Sequence, residues 1–442
     1  MLATGLLVVI ALAGCGGARP NTGGSATATA TPASSALSSV PTSTSSAPTA
    51  MPRSPTQAEI ERLIAVVRAD PEDAEAQRDL GFAFLQRVRE TADPSLYEPA
   101  DAAFQAARRL APDDALVLVG IGGLQLGRHE FADALETGRR AAGLSPTLAS
   151  ARAVIVDALV ELGRYDEADA EAGEMFALSE DLATLSRISY LAELRGDLDA
   201  ALGAMRLAAR TPGLPAENTA FVQAQLGNLL VYAGDRDAAA EAYQAALDLV
   251  ATHAPSLAGQ ARLAIGEGPL DRAIQLLERA ATIVPLPEYV IALGDTQEAA
   301  GLGSAATQSY ALARAEIQLF EAGGVVVDLD LALFEADHGD PARALELATA
   351  AHEAGPTVRA ADAVAWALHR LGRDVEAKAY VDEALRLGSR DPLLRYHAGA
   401  VAASLGDTVK ARRDLEMALA TDPGFSATGA ATARRILSEL PG

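Results

Sequence analysis

The sequence predicts an all-α protein, an α-solenoid superhelix of about ten helix-turn-helix repeats with a helical cap at each end. Three observations carry this expectation. First, alanines recur at Ala100, Ala134, Ala168, Ala201, Ala239, Ala273, Ala306, Ala344, Ala377 and Ala411, with gaps of 34, 34, 33, 38, 34, 33, 38, 33 and 34 residues. A period near 34 marks stacked helix pairs. Second, apolar or small residues return at helical spacing within a unit. From Pro287 to Val325 these are Val290, Leu293 and Gly294, then Ala306, Tyr310 and Ala313 beyond Gly301. Third, half of the residues are hydrophobic but only 4% are aromatic, so the interior is built from Ala and Leu and its helices approach closely. At 442 residues the chain exceeds one ordinary core. An array avoids that limit because each repeat packs only on its neighbours.

Residues 1–15 come first. Residues 2–14 are apolar, too few for the roughly 20 that span a bilayer, and fit the apolar region of a secretion signal. Leu12-Ala13-Gly14-Cys15 resembles a bacterial lipobox. That resemblance implies diacylglycerol attachment at Cys15 and cleavage before it. Met1 to Gly5 depart from export signals in carrying no Lys or Arg. Cys15 is the single cysteine, which excludes an intramolecular disulfide framework and a cysteine-rich zinc site. Residues 16–55 are rich in Ser, Thr, Ala and Pro and lack the bulky apolar groups that offset ordering entropy. They are expected to form a disordered tether with a reach of roughly 35 Å.

Residues 56–71 are expected to hold a capping helix, 72–424 the repeat array, and 425–442 a closing helix. Pro71, Pro112, Pro146, Pro285, Pro356 and Pro423 recur where second helices should stop. Two gaps are longer. One contains Thr211-Pro212-Gly213-Leu214-Pro215 and the other Glu321-Ala322-Gly323-Gly324, and slight breaks in the superhelix are expected at both. Arg89 to Tyr97 lengthens the turn inside the first repeat.

The turns Leu162-Gly163-Arg164-Tyr165, Gly196-Asp197-Leu198, Gly234-Asp235-Arg236, Leu371-Gly372-Arg373 and Leu405-Gly406-Asp407 resemble those of the tetratricopeptide repeat family. So do the first-helix pairs Leu80-Gly81, Leu226-Gly227 and Leu293-Gly294. The third, fourth, eighth and ninth repeats depart from the pattern, with Val156, Ser189, Ala332 and Ala365 in place of the glycine. The resemblance implies that first helices line a concave face that binds proteins or extended peptides. On that face it places Arg187, Tyr190, Asn228, Tyr232, Arg262, Asp295, Glu298, Arg359, Asp362, Trp366, His369 and Tyr396. Aromatic and Arg side chains are common interface anchors. Trp366, Tyr190 and Tyr232 have packing between repeats as an alternative role. The family's carboxylate clamp does not carry over. Asn228 suits it, but Ala224 stands where the Lys belongs and Gly259 at the next Asn position.

The formal net charge is −23. An acidic surface argues against nucleic acid as partner. It serves solubility, and its sharper alternative is a basic partner. No catalytic, metal or cofactor site is expected. Glu335-Ala336-Asp337-His338 has the Glu-x-x-His spacing of carboxylate metal sites, but occurs once and reads as a solvated helix end. The six histidines are scattered and expected mostly at the surface. The function expected is non-enzymatic: a lipid-anchored, extracytoplasmic scaffold at the cell membrane, on the periplasmic or cell-surface side. It would bind another envelope protein or an extended peptide. The alternatives are a spacer or self-assembling element, and an envelope solute receptor or enzyme.

Overall fold

The computed structural model describes residues 54–268 and 270–441, apart from the side chain of Asp328. The lipobox at Cys15 and nearly all of the expected tether lie outside these residues. Twenty-two α-helices are described. A first helix, α1 (Pro55–Ala69), precedes ten pairs. These are α2 (Ala74–Thr91) with α3 (Tyr97–Leu110), α4 (Ala115–Gly127) with α5 (Phe131–Leu144), and α6 (Ala149–Glu161) with α7 (Tyr165–Leu178). There follow α8 (Leu182–Leu194) with α9 (Leu198–Ala208), α10 (Ala216–Tyr232) with α11 (Arg236–Leu249), and α12 (Ala254–Glu267) with α13 (Asp271–Ile283). The last four pairs are α14 (Pro287–Ala299) with α15 (Gly303–Ala322), α16 (Asp328–His338) with α17 (Pro341–Ala354), α18 (Val358–Arg370) with α19 (Asp374–Ala384), and α20 (Pro392–Ser404) with α21 (Thr408–Thr421). The closing helix α22 (Ala427–Glu439) ends the array.

Local chemistry sets these boundaries. Asp73, Asp181, Asp197, Asp235 and Asp407 cap helix starts by accepting a backbone N–H three residues on. The turn glycines 163, 196, 234, 301, 372 and 406 take φ of 69–81°, where a Cβ is strained. His129 occupies the same left-handed region in the second repeat, at φ 62°. The ten recurring alanines are almost completely buried, which lets paired helices approach. The first-helix glycines make room for an aromatic ring. Tyr243 of α11 lies between Gly227 and Gly259, where an added Cβ would stand 2.5 and 2.4 Å from the ring.

The two expected breaks differ. At Thr211–Pro215 the flanking helices α9 and α10 still pack together. Between α15 and α16 the backbones stand apart, and side chains bridge the gap. Tyr310 stacks on His338 at 4.0 Å, and the Arg314 guanidinium lies 5.0 Å over the Phe334 ring.

This divergence turns the second half of the coil onto the first. Val326 N–H donates to Arg128 O at 3.2 Å, and His129 Nδ1 lies 2.6 Å from Val326 O, 197 residues away in sequence. Glycines permit the approach. A Cβ at Gly163 would lie 2.5 Å from Pro356 O, and one at Gly196 would lie 2.4 Å from Gly388 O. An apolar core crosses the seam, joining Leu126, Val154 and Leu194 to Val325, Val327 and Val358. The concave face therefore encloses a channel rather than an open groove.

Candidate functional site

First helices present their inner faces to this channel, where described residues line three cavities linked by shared walls. The first is lined by Leu126, Phe131, Glu161, Asp330 and Arg359, among others. The second shares Asp330 and Arg359 with it and adds Arg89, Tyr97 and Glu288. The third shares Glu288 and Ile291 with the second and adds Arg262, Asp295, Phe334, Asp337 and His338. Carboxylates dominate the charged groups along this path.

Among the described residues, Glu161, Glu288, Asp330 and Arg359 form no side-chain hydrogen bond or ion pair. Burial pushes Glu161 up to about 7, with Arg359 opposing. It does the same to Glu288, with Asp330 adding to the rise. Glu193, nearby on α8, is also pushed up to about 7, first by burial and then by Asp391. These side chains keep part of their surface open to the channel, while protein surrounds them on most sides. Low polarity around an unpaired carboxylate disfavours its charged form. Burial works against the Arg359 guanidinium, but Asp330 and its neighbours outweigh that and hold it charged.

The expected concave-face residues are distributed as follows. Arg187 is buried on α8 with its guanidinium fork on Asp157, and donates from Nη1 to Ala183 O at 2.8 Å. Burial pushes Asp157 up to about 6 against the pull of Arg187. Arg262 is also buried and donates from Nε to Asp422, with its guanidinium 5.1 Å over the Tyr232 ring. Asn228 accepts the Tyr243 hydroxyl at 2.7 Å. Tyr190 is half-buried, and burial raises its pKa well above the usual value. Arg359 faces two of the cavities.

Asp295 receives His338 Nε2 at 3.0 Å, and the Tyr310 hydroxyl sits 3.0 Å from Asp295 and 2.8 Å from the exposed Glu298. Burial works against the His338 imidazolium, but Asp295 outweighs it and raises the pKa. Trp366 is buried as an inter-repeat wedge. It stacks on His397 at 4.0 Å and on His369 at 5.0 Å, and donates from Nε1 to Asp337 at 2.8 Å. Asp362 holds His397 Nδ1 at 2.8 Å, and Asp374 holds His369 Nδ1 at 2.5 Å. Tyr396 is buried between Trp366 and Phe425, at 5.5 Å from each ring.

Two expectations need correction. The histidines are not surface groups: His253 and His397 are buried and the other four half-buried, because carboxylates or ring stacks hold five of them and Ser256 Oγ meets His253 Nδ1 at 2.8 Å. Glu335 and His338 do not form a solvated helix end. Glu335 is buried and accepts Asp340 N–H at 2.9 Å, while His338 turns to Asp295. No group of three or more metal-ligating side chains occurs among the described residues. None of the described helices is long and apolar enough to cross a membrane.

Glu161, Glu193, Glu288, Asp330, Asp337, His338 and His397 were not among the site residues expected from sequence. One signal could have found several of them. Glu161, Glu193 and Asp337 lie in the last two positions of first helices, where the helix dipole disfavours negative charge.

The tetratricopeptide repeat family profile matches residues 95–149 and 225–286. Those segments are the second helix of one pair with the whole of the next, and the second half of α10 through α13 with the linker beyond. These two segments are tetratricopeptide repeats, and the helix pairs around them build a superhelix of the same kind. No protein of curated function matches it. Among solved structures it is similar to the human IFIT1 dimer with m7Gppp-AAAA, at 16% identity, 75% of this chain, 77% of that chain and TM-score 0.48. It is similar to YrrB, described as a TPR protein with an unusual peptide-binding site, at 20% identity, 41% and 93% coverage and TM-score 0.29. Pseudomonas aeruginosa pilF gives 18% identity, 48% and 98% coverage and TM-score 0.39.

Proposed function

We propose that this protein is a membrane-tethered bacterial lipoprotein of the cell envelope. Its repeat coil binds an extended segment of another envelope protein, one that carries basic side chains. The repeat fold supports protein or peptide binding. The observation that carries the basic partner is the set of carboxylates Glu161, Glu288 and Asp330, unpaired among the described residues, along linked cavities. A narrow enclosed path suits an extended chain better than a folded domain. The lipobox-like Cys15 and the Ser/Thr/Pro tether support the anchoring. Tethering raises the local concentration of a partner on the same membrane and strengthens modest contacts.

The test has two arms. Fatty-acid labelling of the full chain should mark the wild type and fail for Cys15→Ser, which should also leave the membrane fraction. Crosslinking in native membranes should recover a partner through the wild type and lose it with a Glu161→Gln, Glu288→Gln double variant. Labelling without Cys15, or partner recovery indifferent to both carboxylates, would sink the corresponding half.

A further inference from the structure

The end of the array reaches back 160 residues to close the channel. Asp422, just past α21, is fully buried. Its carboxylate takes Arg262 Nε on one oxygen and Arg236 Nη1 at 3.1 Å on the other. It also accepts the Gly424 N–H at 3.0 Å, which shapes the loop that follows. Gly424 lies so close to α12 that a Cβ there would stand 2.1 Å from Arg262 O. Beyond this clasp, Gly424, Phe425, Ser426 and Ala427 roof the third cavity, over Glu288 and Asp337. The closing helix α22 then lies along α14 as well as α20 and α21.

The attachment of this segment is uneven. The fully buried residues of α22 are the small Gly429, Ala430 and Ala433, and its larger Ile436 and Leu437 are only partly buried. Apolar stabilisation scales with the area buried, so the helix itself adheres weakly. Phe425 against Tyr396 is the one large apolar anchor of the loop. Ile436 and Leu437 add partly buried apolar contacts, while the polar hold is concentrated on one carboxylate. By contrast, the seam between the early and late repeats is sealed by a continuous apolar core.

We infer that residues 422–439 form a strap, latched by Asp422 on Arg236 and Arg262, that opens as a unit to admit a ligand to the channel. Its purpose rests on the channel reading above. The strap opens at the Asp422 clasp while the apolar seam stays shut. It thereby uncovers the carboxylate-lined third cavity without unwinding the coil. Segments with few buried apolar contacts open at lower free energy than the core.

Hydrogen exchange on the full chain tests this with no partner present, so a failed partner capture leaves it standing and the reverse also holds. Strap amides should exchange at least about tenfold faster than those of α14, through an opening only weakly sensitive to denaturant. Gly424→Ala, which leaves every charge in place, should speed strap exchange further and leave α12 and α14 unchanged. Trp366, the only tryptophan, lies against Tyr396 and His397. Acrylamide should therefore quench it more in Gly424→Ala at unchanged helicity. Asp422→Asn should act in the same direction. If strap and α14 exchange with one free energy and one denaturant slope, or if Gly424→Ala alters neither exchange nor quenching, the segment is a fixed cap and the inference falls.

Discussion

The backbone N–H of Val358 donates to the phenolic oxygen of Tyr165 at 3.0 Å, across 193 residues of chain. Tyr165 opens α7 in the third repeat and Val358 opens α18 in the ninth, so this bond ties two turns of the coil together. Burial pushes the Tyr165 hydroxyl up to about 12, which keeps it neutral. Arg386 lies 5.3 Å over its ring and donates to Pro356 O at 2.9 Å, closing the same contact from the other side.

Tyr165→Phe removes the acceptor and leaves a buried N–H unpaired, at a cost of about 1–2 kcal/mol. The Val358 amide should lose protection against hydrogen exchange, while amides within α6 and α7 stay protected. Unchanged exchange at Val358 would mean that the seam does not depend on this bond.

Stability should fall as pH rises from about 4.5 to about 7. Glu161, Glu193 and Glu288 are each raised from an ordinary 4.5 to about 7 by burial. A carboxyl with a raised folded pKa holds its proton more tightly in the folded chain than in the unfolded one. Within that window the folded state binds more protons, so stability declines with pH and is lowest above 7. Replacing any one of the three with Gln should raise the unfolding midpoint at pH 8, by about 1 kcal/mol of stability each. It should change little at pH 5. A midpoint that climbs with pH across the window would contradict this.

Much of the fold was legible because it is local. Repeat length, turn glycines and closing prolines mark out the helix pairs, since each feature acts through nearby backbone. The closing helix expected near 426 begins at Ala427, and the first cap begins at Pro55, just inside the expected tether. Closure was not legible, because it depends on small rotations summed over five to six repeats and on the divergence of α15 and α16. No sequence period records that sum. The candidate site suffered for the same reason. Arg187, Arg262 and Trp366 sit on first helices as expected, yet closure and inter-repeat pairing bury them. The acids at first-helix ends acquire a shared environment only once the coil shuts.

The ring of Tyr243 should make two glycines irreplaceable. Gly259→Ala would ordinarily favour a helix by about 1 kcal/mol. Here the new methyl would stand 2.4 Å from the ring, so overpacking should outweigh the gain and destabilise by about 1–3 kcal/mol. Combining it with Tyr243→Leu, which vacates the space, should cost less than the two changes summed. Strict additivity in chemical unfolding would show that ring and glycine are not coupled.

Variants of Trp366 and Arg359 should separate folding from binding. Trp366 is buried between two histidines with its N–H on Asp337. Trp366→Ala therefore opens a large cavity and should cost about 3–5 kcal/mol, so any loss of partner would report on damaged packing. Arg359 borders two of the cavities and forms no ion pair among the described residues. Arg359→Gln removes a positive charge from a path in which carboxylates outnumber arginines, and it leaves no hydrogen-bonded partner among the described residues stranded. It should lower the unfolding midpoint modestly, because Arg359 offsets the charge of Glu161 and Asp330, and tighten binding of a basic peptide, measured by titration at low salt. The gain should shrink as salt screens the channel. Weaker binding at unchanged stability would instead show that Arg359 receives an acidic group of the partner, and would reverse the charge assigned to it.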